Sequence, residues 1–194
     1  MTKKVRRIVM RTEALCQAQC DGKATKHLAI SKKVATFGAE TTIRQMTTLN
    51  LPPYDARLRG TREKPEIFDF LRRRYVALTP EEWVRQHFTH WLVEHKGYPQ
   101  ALMGNEMELR VGEKRLRCDS ILYNKVLQPR MIMEYKAPTV AITQRVFDQI
   151  AAYNTLLHVD YLVLSNGLQH YCCRTDYEKG GYEFLPEVPD FGAL

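Results

Sequence analysis

Residues 130–137, RMIMEYKA, have the composition of a strand, and a strand alternates its side chains between two faces. Met131, Met133 and Tyr135 then share one face, and Ile132, Glu134 and Lys136 share the other. An acid and a base side by side in an otherwise apolar strand are costly to bury unless they are paired or bind something. Local rule-breaking of this kind is expected at functional sites. The preceding apolar run, LRCDSILY at 116–123, is interrupted in the same way by Asp119.

The elements around this strand follow in a readable order. TPEEWVRQHFTHWLVEHKG (79–97) is a helix. Thr79 is its N-cap, Pro80 fits the first helical position, and Glu82 completes a capping box. Val84, Phe88, Trp91 and Leu92 follow helical spacing, and Gly97 closes it. Segments 105–111, 115–123 and 130–137 have strand character, with turns at 112–114 and 124–129. TVAITQRVFDQIAAYNTLLH (139–158) predicts a second helix with Val146, Ile150, Tyr153 and Leu157 on one face. YLVLSNG (161–167) is a short apolar strand ended by Asn-Gly, 168–174 is its hairpin partner, and 182–184 adds an edge strand. Upstream, 47–65 reads as an extended lead-in, and IFDFLRRRYVAL (67–78) as a strand or strand pair. The fold class expected is α/β, in the form of an α+β sandwich. Its order is helix, three-strand meander, helix, strands, with a mixed central sheet flanked by helices.

Charge divides the chain. The net +7 over 194 residues suggests a polyanionic partner. Residues 1–45 hold 10 basic and three acidic side chains, so the excess lies there; residues 46–194 hold 19 of each. One of the 19 aromatics, Phe37, falls in 1–45. A basic, aromatic-poor stretch buries little apolar surface, so 1–45 is expected to be a disordered extension, with Met46 as an alternative start. The division expected is therefore 1–45 extension, 46–78 lead-in with a strand or hairpin, and 79–194 main domain. Five cysteines without a secretory segment point to reduced thiols and a cytoplasmic protein. No apolar run approaches the roughly 18 residues of a membrane span.

Asp119, Glu134 and Lys136 form the constellation that carries chemistry. A hairpin can set Asp119 beside Glu134, and two facing carboxylates suit a hard divalent cation such as Mg²⁺. Such an ion polarises a phosphoryl oxygen and lowers the pKa of bound water. Lys136 can orient that water or stabilise developing charge. The alternative is a buried Glu–Lys ion pair with an unrelated Asp. Arg117, Arg72, Arg73 and Arg74 are candidates for phosphate contact, or ordinary solvated charges. His87, His90 and Glu94 stand at i, i+3 and i+7, a spacing that could hold zinc, although no HExxH motif exists. Cys16, Cys20 and His27 could be half a metal site, but zinc needs four ligands at tighter spacing. Asn166-Gly167 is a turn or a ligand contact, and Cys172 and Cys173 point to opposite faces as packing residues.

Asp119…Glu134-Tyr135-Lys136 resembles the D…(D/E)xK signature of the PD-(D/E)XK nuclease superfamily, whose core order matches the elements above. Gln149-Ile150-Ala151-Ala152-Tyr153 resembles the QxxxY motif of its RecB-like branch. The longer run MEYKAP…Q…DQIAAYN…YLVLSNGLQHY is similar to the N-terminal domain family of type I restriction enzyme R subunits, over roughly 65–185. Cys118 stands where the superfamily name-motif has Pro.

The resemblance implies a restriction-endonuclease-like core and Mg²⁺- or Mn²⁺-dependent hydrolysis of DNA. It implies roles for Asp119, Glu134, Lys136, Gln149 and Tyr153, with Gln149 and Tyr153 positioning DNA and the lysine. Glu82 matches a further acidic ligand from the first helix, with Arg85 one turn on as a nucleic-acid contact; Glu106 is the rival acid. No GxxxxGK[ST] phosphate loop occurs, so the motor of a full R subunit is expected from a helicase/ATPase or another restriction-system subunit. A homo-oligomer is compatible with all of this. A catalytically silent module of the same fold, holding DNA or a protein, and an R-subunit remnant are the other readings.

Overall fold

The computed structural model describes residues 46–194. The basic extension, with Cys16, Cys20 and His27, lies outside the described residues.

The lead-in carries a small sheet. β1 (Leu58–Gly60), β2 (Pro65–Asp69) and β3 (Arg74–Ala77) pair antiparallel in that order. The three-arginine run therefore falls at the β2–β3 turn, with Arg73 at φ 55°. Leu58, Ile67 and half-buried Val76 turn inward with Leu78 onto Trp83.

α1 (Pro80–Lys96) starts where the cap signals place it: Thr79 Oγ1 accepts from Glu82 N–H at 3.0 Å, and Gly97 ends the helix at φ 70°. β4 (Met103–Val111), β5 (Lys114–Tyr123) and β6 (Pro129–Tyr135) form the antiparallel meander. α2 (Gln144–Leu157) begins five residues later than the sequence predicts. Pro138 stands three residues past the end of β6, and a turn from Ala137 O to Val140 N–H (2.9 Å) occupies the interval. β7 (Tyr161–Ser165) then pairs parallel with β6. β8 (His170–Asp176) and β9 (Gly181–Leu185) extend the sheet antiparallel, in the order β4-β5-β6-β7-β8-β9.

Among the described residues this mixed six-stranded sheet with two helices is the α+β sandwich expected, in the order helix, three-strand meander, helix, strands. Period-two alternation divides its core. Met131, Met133 and Tyr135 join Val84, Phe88 and Leu92 of α1. Ile132 joins Phe147 and Ile150 of α2, and Cys172 and Cys173 separate onto the two faces as predicted. Cys118, Cys172 and Cys173 are free and buried, and burial pushes their thiols up. Among the described residues no helix is long and apolar enough to cross a membrane.

Candidate functional site

The sheet ladder breaks around Asp119. β5 pairs with β6 through Ser120 and Met133, and the next step of that register would set Asp119 opposite Glu134. The pairing stops there, and Asp119 Oδ2 instead accepts the N–H of Tyr135 at 2.8 Å. On the other side β4 pairs through Asn105–Ser120 and Met107–Cys118 but skips Glu106. Glu106 sits at φ 54°, a left-handed conformation inside a strand. A non-glycine residue held there costs on the order of 1–3 kcal/mol, and such strain collects at functional sites. Cys118 and Ile121 both join the α2-side core, so the alternation of β5 also slips at Asp119.

Arg85 explains where the displaced carboxylates point. It lies one turn after Glu82 on α1, with its side chain 6% exposed. Nη1 meets Glu82 Oε2 at 2.6 Å and Glu106 Oε1 at 2.7 Å, and Nη2 meets Asp119 Oδ1 at 2.9 Å. Burial works against its charge, but Asp119, Glu82 and Glu106 outweigh that and raise its pKa. The unusual φ of Glu106 thus sits with an ion pair to a buried cation.

Glu134 and Lys136 sit together at the end of β6. Lys136 Nζ donates to Glu134 Oε1 at 2.8 Å. Burial and then the charge of Asp119 push the Glu134 carboxyl up, against Lys136 and Arg85. Burial opposes the Lys136 charge, but Glu134 and then Asp119 raise it. Two carboxylates that repel across a broken ladder, one mostly buried and one partly open, fit a hard divalent ion, which relieves both burial and repulsion. Asp119 and Glu134 are the side chains that could hold one. Among the described residues no three His, Cys, Asp or Glu side chains form a closed cage. Mg²⁺ needs none, since one or two carboxylates with water and phosphate complete its shell.

The other sequence-predicted residues divide between inward and outward roles. Thr79 N–H donates to Ala77 O, so the capping box closes on one side only. The Glu82 carboxylate is taken by Arg72 (3.0 Å), Arg85 (2.6 Å) and Gln86 (2.8 Å) instead. Arg72 also holds Asp69 at 2.5 Å, so Arg72 and Arg85 face carboxylates rather than solvent. Arg73 and Arg74 are exposed. Arg117 is exposed and paired with Glu106. Gln149 is exposed on α2, and Tyr153 is half-buried against the α2-side core. Neither hydrogen-bonds Asp119, Glu134 or Lys136 among the described residues.

The zinc spacing leads elsewhere. His87 is buried, its Nδ1–H donates to Trp83 O at 2.9 Å, and burial holds it down at about 4. His90 stacks on Tyr54 with ring centroids 3.9 Å apart. Asn166 is a turn residue: Oδ1 accepts from Leu168 and Gln169 N–H, while Nδ2 ties Val140 O at 2.9 Å.

Three buried residues escaped sequence reasoning. Asp69 accepts from Leu71 and Arg72 N–H and from Asn105 Nδ2, and Ser120 Oγ donates to Asn105 Oδ1 at 2.5 Å. This chain of hydrogen bonds joins the small sheet to β4 and β5. A polar residue at the end of a strand pattern, as Asp69 is in IFDF, was the one available signal.

Comparison with known proteins bears on the same region. Residues 80–189, more than half of the chain, match the family described as the type I restriction enzyme R protein N terminus. No curated protein matches. A solved fragment described as belonging to an HsdR subunit of a type I restriction enzyme from Vibrio vulnificus YJ016 is similar at 17% identity and a TM-score of 0.42. The alignment covers 58% of this chain and 24% of that one, so the chain spans about a quarter of its length.

Proposed function

This chain belongs to the family of type I restriction enzyme R protein N termini, and we propose that it is a nuclease domain hydrolysing DNA phosphodiester bonds with Mg²⁺ or Mn²⁺. The observation that carries this is that Asp119 and Glu134 lie close enough to repel where the β5–β6 pairing stops, with Lys136 2.8 Å from Glu134. Asp119 and Glu134 would hold the metal, which when bound supplies a polarised phosphoryl oxygen and an acidified water. Arg85 fixes Asp119 from behind through a 2.9 Å hydrogen bond. Lys136 keeps a cation beside Glu134, where negative charge would develop on phosphate. Arg73, Arg74 and Gln149 are exposed and available to the nucleic acid. The protein acts in the cytoplasm with a translocating ATPase or another restriction-system subunit.

The test incubates purified protein with plasmid, linear and single-stranded DNA in Mg²⁺ or Mn²⁺. Cutting should fall by about 10²-fold or more in Lys136→Ala and Asp119→Ala, the scale for losing one electrostatic stabiliser. Undiminished cutting in both variants would remove this site. One observation favours a second reading, a non-cutting DNA-binding module: the Asp119 carboxylate is already paired by Arg85 at 2.9 Å. DNA binding without cutting of any substrate would select it.

A further inference from the structure

The outer face of the β1–β2–β3 sheet lies upstream of the residues that match the family, and the site above leaves it unused. Its inner side chains, Leu58 and Ile67, are buried, so alternation turns Arg57, Arg59, Phe68 and Tyr75 outward. Phe68 and Tyr75 are cross-strand partners with ring centroids 5.2 Å apart at 66°. The Arg57 Cζ lies 3.7 Å from the Phe68 centroid, and the Arg59 Cζ 4.0 Å from that of Tyr75.

We propose that this face is a platform for a single-stranded segment of nucleic acid. Aromatic rings and guanidinium planes are the two surfaces on which unstacked bases lie, and an open sheet face offers them in a row. Charge agrees. Within 57–74, setting aside the buried Arg72–Asp69 pair, six exposed cations stand against Glu63 and Glu66. The rest of 46–194 holds 12 basic and 16 acidic side chains, so the neutral body is polarised toward this sheet. Arg59 is paired with Glu66 at 2.6 Å, which leaves Arg57, Arg62, Lys64, Arg73 and Arg74. Of these, Arg57 on the face and Arg73 and Arg74 at the β2–β3 end beside it are the principal phosphate groups.

The sheet is also fastened to the site. Arg72, in the β2–β3 turn, bridges Asp69 at 2.5 Å and Glu82 at 3.0 Å, and Glu82 holds Arg85. A strand lying on the platform is therefore carried on the same network that fixes Asp119. The platform rests on the nucleic-acid substrate of the proposed function but not on cutting, so binding is measured in EDTA.

The experiment follows fluorescence anisotropy of the full chain with a labelled oligothymidine of about 20 nucleotides, longer than one such site, and with a duplex of equal length. The triple variant Arg57→Gln/Arg73→Gln/Arg74→Gln should bind the single strand at least tenfold more weakly. Its log Kd against log salt should lose about two from the slope, at roughly 0.7 per phosphate contact. Tyr75→Leu, which keeps apolar bulk, should weaken single-strand binding about fivefold or more and leave the duplex nearly unchanged. Circular dichroism checks folding, and the single variant Arg74→Gln, exposed at the first residue of β3, replaces any form that fails. Wild-type binding and slope in the folded variants overturn the proposal. Displacement of the oligonucleotide by polyglutamate of equal charge overturns it in favour of an acidic protein partner. Loss of cutting with these binding effects intact would instead count against the nuclease reading alone.

Discussion

Arg85 on α1 donates from Nη2 to Oδ1 of Asp119 on β5 at 2.9 Å, across 34 residues of sequence. The same guanidinium holds Glu82 and Glu106, so one buried cation serves three carboxylates. Arg85→Met would leave those acids facing one another without it. Breaking a buried ion pair by removing one partner costs about 3–5 kcal/mol. Urea unfolding should show a loss of that size. Arg85→Lys should fall between, since an ammonium keeps the charge but not the planar fork that reaches Glu82 and Asp119 together. A loss under about 1 kcal/mol in Arg85→Met would mean the network is solvated and unimportant to the fold.

His87 sets an acid limit on stability. Burial, more than any neighbour, lowers it from 6.5 to about 4, so the folded state keeps it neutral where the unfolded chain takes a proton. Stability is complete above about pH 6.5, declines as pH falls toward 4, and levels off below; the total is up to about 3 kcal/mol. His90 and His170 are lowered in the same direction, chiefly by burial, and steepen the decline. Thermal melts of His87→Gln and wild type between pH 4 and 7 test this. The variant should show the shallower dependence, and parallel curves would rule out His87 as a source.

Gly167 closes the β7–β8 hairpin at φ 81°, where a Cβ would meet Leu49 Cδ2 at 2.6 Å and Val84 Cγ2 at 3.1 Å. Its carbonyl accepts Asn50 N–H at 2.7 Å, so the lead-in docks on this turn. Gly167→Ala combines left-handed strain with overpacking and should cost about 2–4 kcal/mol. Gly112→Ala has a similar φ of 61° with nothing within 4 Å, and should cost only the conformational part, about 1–2 kcal/mol. Equal losses in the two variants, read from denaturant midpoints, would show that Leu49 yields freely.

Much of this molecule was legible because local patterns govern it. Thr79, Pro80 and Gly97 bounded α1, and period-two alternation in 130–137 divided Met131 and Met133 from Ile132 correctly. The β5–β6 hairpin brings Asp119 near enough to push the Glu134 carboxyl up, although the ladder itself stops one residue short of pairing them. What stayed hidden is long-range and polar. Asp69 meets Asn105 across 36 residues, and no spacing announces it. Glu82 looked like a capping-box acid, but two arginines outcompete a backbone N–H for its carboxylate. The run 72–74 read as one basic surface, yet the turn sends Arg72 inward and leaves Arg73 and Arg74 outside. The i, i+3 histidines had a spacing that could hold zinc, but Tyr54 of the lead-in stacks on His90 and meets His87 edge-on.

Gln149 and Tyr153 stand one turn apart on α2 with unequal burial, which separates function from stability. Gln149 is exposed, so Gln149→Ala should leave stability nearly unchanged, within about 0.5 kcal/mol. If Gln149 acts on the nucleic acid, the same change lowers the cutting rate or raises KM for DNA. Tyr153 packs with Val146, Ile150 and Leu157 on the α2-side core. Tyr153→Ala should therefore cost about 2–4 kcal/mol, whereas Tyr153→Phe keeps the packing and tests the hydroxyl by itself. A Tyr153→Phe protein with native stability but weakened cutting assigns the hydroxyl to the substrate. Native cutting in both Gln149→Ala and Tyr153→Phe would reduce this helix to a structural support.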